Sequence, residues 1–370
     1  MRDVPAMTGN SRRPKSSSAQ QRGAATIADV AAAAGVSKMT VSRVLSAPWS
    51  VKEETRERVT QIIADLHYTP SRAARMLSGA RQLRFGLVYN FPRSSYIVDF
   101  LMSAIDQASA MDVQLIARGC LLDDTDAAVF QTLVSSGIDA IILTPPLCDS
   151  PRLLAAAADL DIPVLLVSTD SNVPGLSSIF IDEHAAAREM TEHMLALGHR
   201  RIGFIAGEPA LAASHVRQAG FCAALQAAGL SVDPALIAQG HFTYRSGLLA
   251  AERLLALDAP PTAIFASNDD MAAGAVTSAH RMGLDVPSQL TVCGFDDSWI
   301  ATTTYPELTT IHQPIGAMAI RGVLLLAELV QLYNNGKRTS RQVKMAHALV
   351  ARQSDAAAAS PAAAAADGGG

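Results

Sequence analysis

Between Thr26 and Ala34 the apolar residues Ile27, Val30, Ala31 and Ala34 recur at helical spacing, which predicts one face of a short amphipathic helix. Thr26 and Asp29 stand at capping-box spacing and fix its start. Gly35 permits a sharp turn and Ser37 caps a second helix, in which Val41, Val44 and Leu45 point inward. Lys38, Met39, Ser42 and Arg43 are left outside. A third helix, opened by Ser50 and Glu53, turns Val59, Ile62, Ile63 and Leu66 to the same core. Three short helices with a tight turn between the first two predict a helix-turn-helix. Past Pro70, a capping Ser71 and a terminating Gly79 frame a basic helix of about seven residues, too short to persist alone in water. It carries Arg72, Arg75 and Leu77 and has no local core.

From Leu83 the pattern changes. Short apolar, β-branched runs (RFGLVYN, VQLIARG, DAIILTPP, IPVLLVST) alternate with helical stretches, and a second set follows (RRIGFIAG, TAIFASND, LTVCGFDD). Buried strands alternating with helices predict parallel sheets covered on both faces. The order occurs twice, so the expected fold class is α/β, with two doubly wound lobes behind the helical head. Such folds bind ligands beyond the carboxyl ends of their strands, here in the cleft between lobes. The helix IGAMAIRGVLLLAELVQLY, after Pro314, is amphipathic and leucine-rich and suits either a core or a dimer interface.

Charge sharpens the reading of the head. Residues 1–85 hold 14 Lys/Arg against 6 Asp/Glu, a net of +8, while the 16 basic and 28 acidic residues left from the totals of 30 and 34 give the remainder −12. A basic head on an acidic body suggests a polyanionic partner for the head. The second helix of a helix-turn-helix lies in the DNA major groove with its N-terminal residues near base edges. Lys38 and Arg43 reach guanine acceptors or phosphates, Ser37, Thr40 and Ser42 bond phosphate or base, and Met39 offers apolar contact to a thymine methyl. A marginal basic helix with a free leucine suits a segment that orders on DNA and wedges Leu77 into a minor-groove step beside Ser71, Arg72 and Arg75. A plain linker is the alternative there.

TIADVAAAAGVSKMTVSRVLSAPWSVKEETRERV and LHYTPSRAARMLSGAR together resemble the headpiece and hinge of the lactose/galactose repressor (LacI/GalR) family, and the similarity runs over about residues 25–354. The resemblance implies a two-lobed, periplasmic-binding-protein-like body. It places base-reading positions on Lys38 and Met39, with Arg43 further along, and the minor-groove leucine on Leu77. It also places effector-binding positions on Arg217, Phe242, Asn268 and Asp296. The Lys38–Met39 pair differs from the best-known members, so no operator sequence carries over.

The residues themselves support that cleft. Asn268 and Asp296 end strands, Arg217 begins a helix, and amide, carboxylate and guanidinium together pair with the hydroxyls of a small polyol. Phe242 offers a stacking face or a core side chain. Asn90 and Tyr96 face the same cleft from the first lobe if the lobes close. Asp182 is a weaker candidate, and its neighbour His184 reads as structural or solvated. Asn268 and Asp296 also suit helix caps.

The expected organisation is a disordered basic tail (1–24), a headpiece (25–69), a hinge helix (70–82), an effector-binding and dimerisation body (83–354) and a disordered Ala/Gly tail (355–370). The expected function is a sequence-specific transcriptional regulator, a repressor, that binds a palindromic double-stranded operator as a homodimer. A small effector, a carbohydrate first and a purine or other metabolite second, would bias lobe closure and so order or melt the hinge helices. The tail lacks heptads, which favours a dimer over a tetramer. No GxSxG, Walker loop, dinucleotide fingerprint or HExxH is present, and the nine histidines form no metal-ligand cluster, so no enzyme, cofactor or metal is expected. Scattered cysteines and the absence of a signal-like N-terminus suggest a reduced, cytoplasmic, nucleoid-associated protein without a membrane span. An exported sugar-binding protein would show the reverse.

Overall fold

A computed structural model of the chain describes residues 25–46, 51–66, 68, 82–90, 94–120, 127–169 and 173–358. Contacts divide the chain into two units, 1–81 and 82–370. The predicted hinge residues Ser71, Arg72, Arg75 and Leu77 lie outside the described residues, as do the tail 1–24 and the capping residue Ser50.

The first unit holds α1 (Ile27–Ala34), α2 (Lys38–Ser46) and α3 (Glu53–Asp65). The Asp29 carboxylate reaches back to accept from the Thr26 backbone N–H at 2.8 Å and its hydroxyl at 2.7 Å, and these bonds hold Asp29 below the usual carboxylate range. Gly35 ends α1 at φ +65, the left-handed conformation that costs glycine least. Ser37 then accepts from the Thr40 N–H at 3.1 Å and opens α2. Val30, Ala31, Ala34, Val41, Val44 and Val59 form the core, with Ile62 and Ile63 half-buried against it. Two details differ from the sequence reading. Leu66 is 38% exposed because α3 stops before it, and Tyr68 takes the buried place instead. Lys52, without a side-chain bond, is the residue that precedes α3.

The body has two parallel sheets. Its first lobe is built from β1 (Arg84–Tyr89), α4 (Ser95–Ala110), β2 (Gln114–Gly119), α5 (Ala127–Ser135), β3 (Ala140–Leu143), α6 (Pro151–Ala158), β4 (Val164–Val167) and β5 (Ser177–Ile181). The chain crosses to the second lobe through α7 (Glu183–Ala196), β6 (Ile202–Ala206), α8 (Ala212–Ala227), β7 (Ile237–Gln239), α9 (Tyr244–Leu255), β8 (Ala263–Ala266), α10 (Asp269–Arg281), β9 (Thr291–Cys293), α11 (Trp299–Thr303) and β10 (Thr310–His312). It returns through α12 (Ile315–Asn334) and β11 (Gln342–Met345), and crosses once more to β12 (Ala348–Val350). The first sheet runs β11-β5-β4-β3-β1-β2 and the second β7-β6-β8-β9, all neighbours parallel. Bridges from Cys293 to Thr309 and from Asp296 to His312 extend the second sheet toward β10, which pairs antiparallel with β12.

The α/β class and the two doubly wound lobes are as the sequence reading expected. The central strands of each sheet are buried on both faces, and one apolar cluster, containing Phe85, Phe100, Phe204 and Phe221, runs continuously through both lobes. α12 is long and apolar enough to cross a membrane by length and composition. Its Leu325, Leu326 and Leu329 are nonetheless buried against α4 and the first sheet, so its leucines serve the core. Residues 355–358, assigned to the tail from their composition, are held to the second lobe. Asp355 pairs with His193 at 2.6 Å, and the Ala358 N–H donates to the Leu197 carbonyl at 2.8 Å.

Candidate functional site

A cavity of about 640 Å³ opens between the lobes. Tyr96, Ile97, Pro145 and Ser168 line it from the first lobe, and Arg217, Phe242, Asn268, Asp270 and Asp296 from the second. The carboxyl ends of β6, β8 and β9 point the second-lobe residues inward, as the topology requires.

Arg217 is the floor. It is 5% exposed, its guanidinium lies over the Phe295 ring at 3.7 Å, and its Nε donates to Glu183 Oε2 at 2.7 Å. Nη1 donates to the Ser267 carbonyl and stands 3.5 Å from Asp296 Oδ1. Burial works to lower the Arg217 pKa, but the charges of Glu183 and Asp296 outweigh it and hold the guanidinium above its usual range. Burial also drives the Asp296 carboxyl well above the carboxylate range, against the pull of Arg217. Glu183 already answers the arginine at 2.7 Å, so the second carboxyl sits where acid is in excess. Gln313 Nε2 donates to Asp296 at 2.8 Å. Glu183 lies at the first chain crossing between the lobes and Gln313 at the second, so the floor is tied directly to the segments that join the two lobes.

Asn268 is both cap and wall. Its Oδ1 accepts from the Met271 N–H at 3.0 Å, starting α10, and its Nδ2 donates to the Phe242 carbonyl at 3.2 Å. Phe242 stands at φ 55 and packs its ring over Gly207, where an added Cβ would fall 2.1 Å from the ring. The ring also touches the second-lobe core, so it is wall and core together. The Tyr96 hydroxyl bonds Ser168, and burial pushes its pKa far up.

Two predicted residues are elsewhere. Asn90 does not line the cavity, because its Nδ2 donates to the Cys120 carbonyl at 2.6 Å and ties β1 to β2. Asp182 is also absent from the lining: it caps α7 through the Ala185 N–H at 2.9 Å and pairs with Lys344 at 2.7 Å. His184 is exposed. Sequence reasoning missed Glu183, Gln313 and Asp270. Asp270 was the most accessible of these, being two positions from Asn268 in the motif SNDD. Among the described residues no group of three metal-ligating side chains occurs.

Asp269 supports the site from behind. It accepts from Thr310 Oγ1 at 2.6 Å and from the Ser298 N–H at 2.8 Å, fixing the loop that presents Asp296. Burial raises its pKa to about 7 and that of Asp270 to about 6. A carboxyl with a raised folded pKa contributes stability that is fully present below its unfolded value near 4 and is lost as pH rises through the folded value. Urea-unfolding free energy of the full chain should therefore fall between about pH 4 and pH 7, by on the order of a few kcal/mol. Asp269→Asn should flatten much of that slope, at some cost at low pH.

In the headpiece, α2 exposes Lys38, Met39 and Arg43, with Met39 66% exposed. Among the described residues neither Lys38 nor Arg43 has an acidic partner. Ser37 and Thr40 bond each other at 2.9 Å, and Ser42 and Thr40 are half-buried.

A helix-turn-helix unit joined to a two-lobed body with a polar-floored cleft defines a ligand-responsive DNA-binding protein. Residues 26–71 match the model of bacterial regulatory proteins of the lacI family, and 191–354 match a periplasmic binding protein-like domain. The chain is 32% identical over 333 residues to the HTH-type transcriptional regulator DegA of Bacillus subtilis (strain 168), covering 89% of this chain and 97% of that protein. It is 32% identical to the HTH-type transcriptional repressor CytR of Escherichia coli (strain K12), over 84% of this chain and 92% of CytR. Among solved structures it resembles the transcriptional regulator CelR–cellobiose complex (TM-score 0.66, 28% identity, 89% of this chain and 99% of that one). It also resembles the Lac repressor dimer bound to operator and the anti-inducer ONPF (TM-score 0.67, 26% identity, 90% and 100%). The chain belongs to the lacI family and is a DNA-binding transcriptional regulator, not an enzyme.

Proposed function

We propose that this regulator represses transcription in the bacterial cytoplasm by binding a palindromic operator as a homodimer, and that a small polar effector in the interlobe cavity controls it. The observation that carries the effector reading is the cavity itself. Its polar floor (Arg217, Asp296) and amide (Asn268) fix donors and acceptors, while Tyr96 and Phe242 supply apolar faces. That combination suits a neutral carbohydrate, whose hydroxyls need paired donors and acceptors and whose ring needs a flat wall. The CelR structure holds cellobiose, which supports the class.

Base reading falls to the exposed Lys38, Met39 and Arg43, with Ser37, Thr40 and Ser42 toward the phosphates. Ser71, Arg72, Arg75 and Leu77 form the proposed minor-groove hinge. Dimerisation is supported by an apolar row on α4, where Val98, Met102 and Ile105 are 41%, 56% and 46% exposed at i, i+4 and i+7. The test is a thermal-shift screen of neutral sugars, sugar acids and nucleosides against the full chain, followed by mobility shift on an operator selected from a random duplex pool. A sugar that raises Tm and changes operator affinity supports the reading. A sugar acid that does so alone overturns the neutral-carbohydrate assignment, and a nucleoside that does so alone overturns the carbohydrate class.

A further inference from the structure

Two helices that face the cleft lack a cap of their own. α4 is preceded by Ser94, whose side chain makes no cap bond, and α8 by Leu211, which has no polar side chain to offer. The first N–H groups of any α-helix have no partner inside the helix, and the positive end of the helix dipole gathers there. In this body each helix receives its acceptor from the opposite lobe. Asp270, at the start of α10 in the second lobe, accepts from the hydroxyl Oγ of Ser95, the first residue of α4, at 3.2 Å. Asp149, before α6 in the first lobe, accepts from the Ala212 N–H of α8 through Oδ2 at 3.1 Å. Ser95 is 5% exposed and Asp270 9%, and both aspartates line the cavity.

We propose that Asp149 and Asp270 are reciprocal interlobe caps, positioning residues that hold the cleft closed and whose joint release is the opening step. Each carboxylate sits on a helix end that its own lobe leaves unserved, so the two bonds exist only while the lobes meet. Opening uncaps both helices at once, and water or ligand must then serve two helix ends and two carboxylates. The device is independent of what the cavity binds, so it stands or falls apart from the effector assignment.

The first-turn amides are the direct reporters, since closure and capping are what protect them. Hydrogen exchange of the ligand-free full chain should show Ser95–Ile97 and Ala212–Ala213 slow in the wild type. Asp270→Ala should speed exchange roughly tenfold at Ser95–Ile97 and also at Ala212–Ala213, which it does not touch. Asp149→Ala should do the same in reverse. Asp270→Asn and Asp149→Asn keep an acceptor oxygen and the fold, and should retain most of the protection. If each alanine variant affects only the helix it contacts, the carboxylates are local caps and the coupled latch is wrong. If neither alters exchange, capping across the cleft is wrong altogether.

Discussion

Arg217→Ala should destabilise the body by roughly 3–5 kcal/mol and lower its Tm by on the order of 10 °C, a larger loss than deletion of a guanidinium at an exposed site would bring. The guanidinium is buried, and Glu183 and Asp296 are buried on either side of it at 2.7 and 3.5 Å. Removing it leaves two buried carboxyls without a countercharge. They escape by taking up protons, so the deficit should be smaller at pH 5 than at pH 8. Urea titrations at the two pH values measure this directly. Arg217→Ala combined with Glu183→Gln should recover part of the loss, because one of the two stranded charges has been removed. A loss below about 1 kcal/mol, or one independent of pH, would show that the floor is not an electrostatic keystone. Effector response in a reporter strain should vanish in the same variant, since the hydrogen-bonding floor and its ties to the interlobe crossings at Glu183 and Gln313 go together.

What the sequence made legible and what it hid divide along contact range. The headpiece is written locally. Thr26 with Asp29, Gly35 at positive φ and Ser37 with Thr40 are interactions within four residues, and they appear in the structure as read. The strands of the two repeated sets are legible for the same reason, being short apolar runs between helices. β5, β11 and the triple crossing are not, because β11 pairs in parallel with a strand more than 160 residues away and its own sequence, QVKM, is polar at alternate positions. Strand-end logic nominated Asn268 and Asp296, the family resemblance added Arg217 and Phe242, Tyr96 was offered from the first lobe, and all five line one cavity. The same reading also nominated Asn90 and Asp182, whose true partners are Cys120 and Lys344, distant in sequence and invisible to periodicity. Glu183 was passed over beside Asp182, since nothing local distinguishes a carboxylate that pairs with a buried arginine from one that caps a helix.

The headpiece should respond to substitution in a different currency, one of base identity and salt. Arg43→Ala should weaken binding to a selected operator by about 10- to 100-fold, as the loss of a specific base contact does, while binding to a scrambled duplex changes little. Arg43 sits on the open face of α2, on the helix whose Val41 and Val44 are locked into the core at 0% and 7% exposure. Its backbone is therefore fixed while its side chain, lacking an acidic neighbour among the described residues, is available to a duplex. Lys38, at the helix start, is the comparison. If it neutralises a phosphate, Lys38→Ala should weaken operator and scrambled duplex alike and lower the slope of log affinity against log salt by about one. Fluorescence anisotropy over a salt series on both duplexes separates the two. An Arg43→Ala variant that loses the same factor on both duplexes, with a reduced salt slope, would move Arg43 from the base edges to the backbone. The specificity would then have to come from Met39 and the serine and threonine hydroxyls of α2.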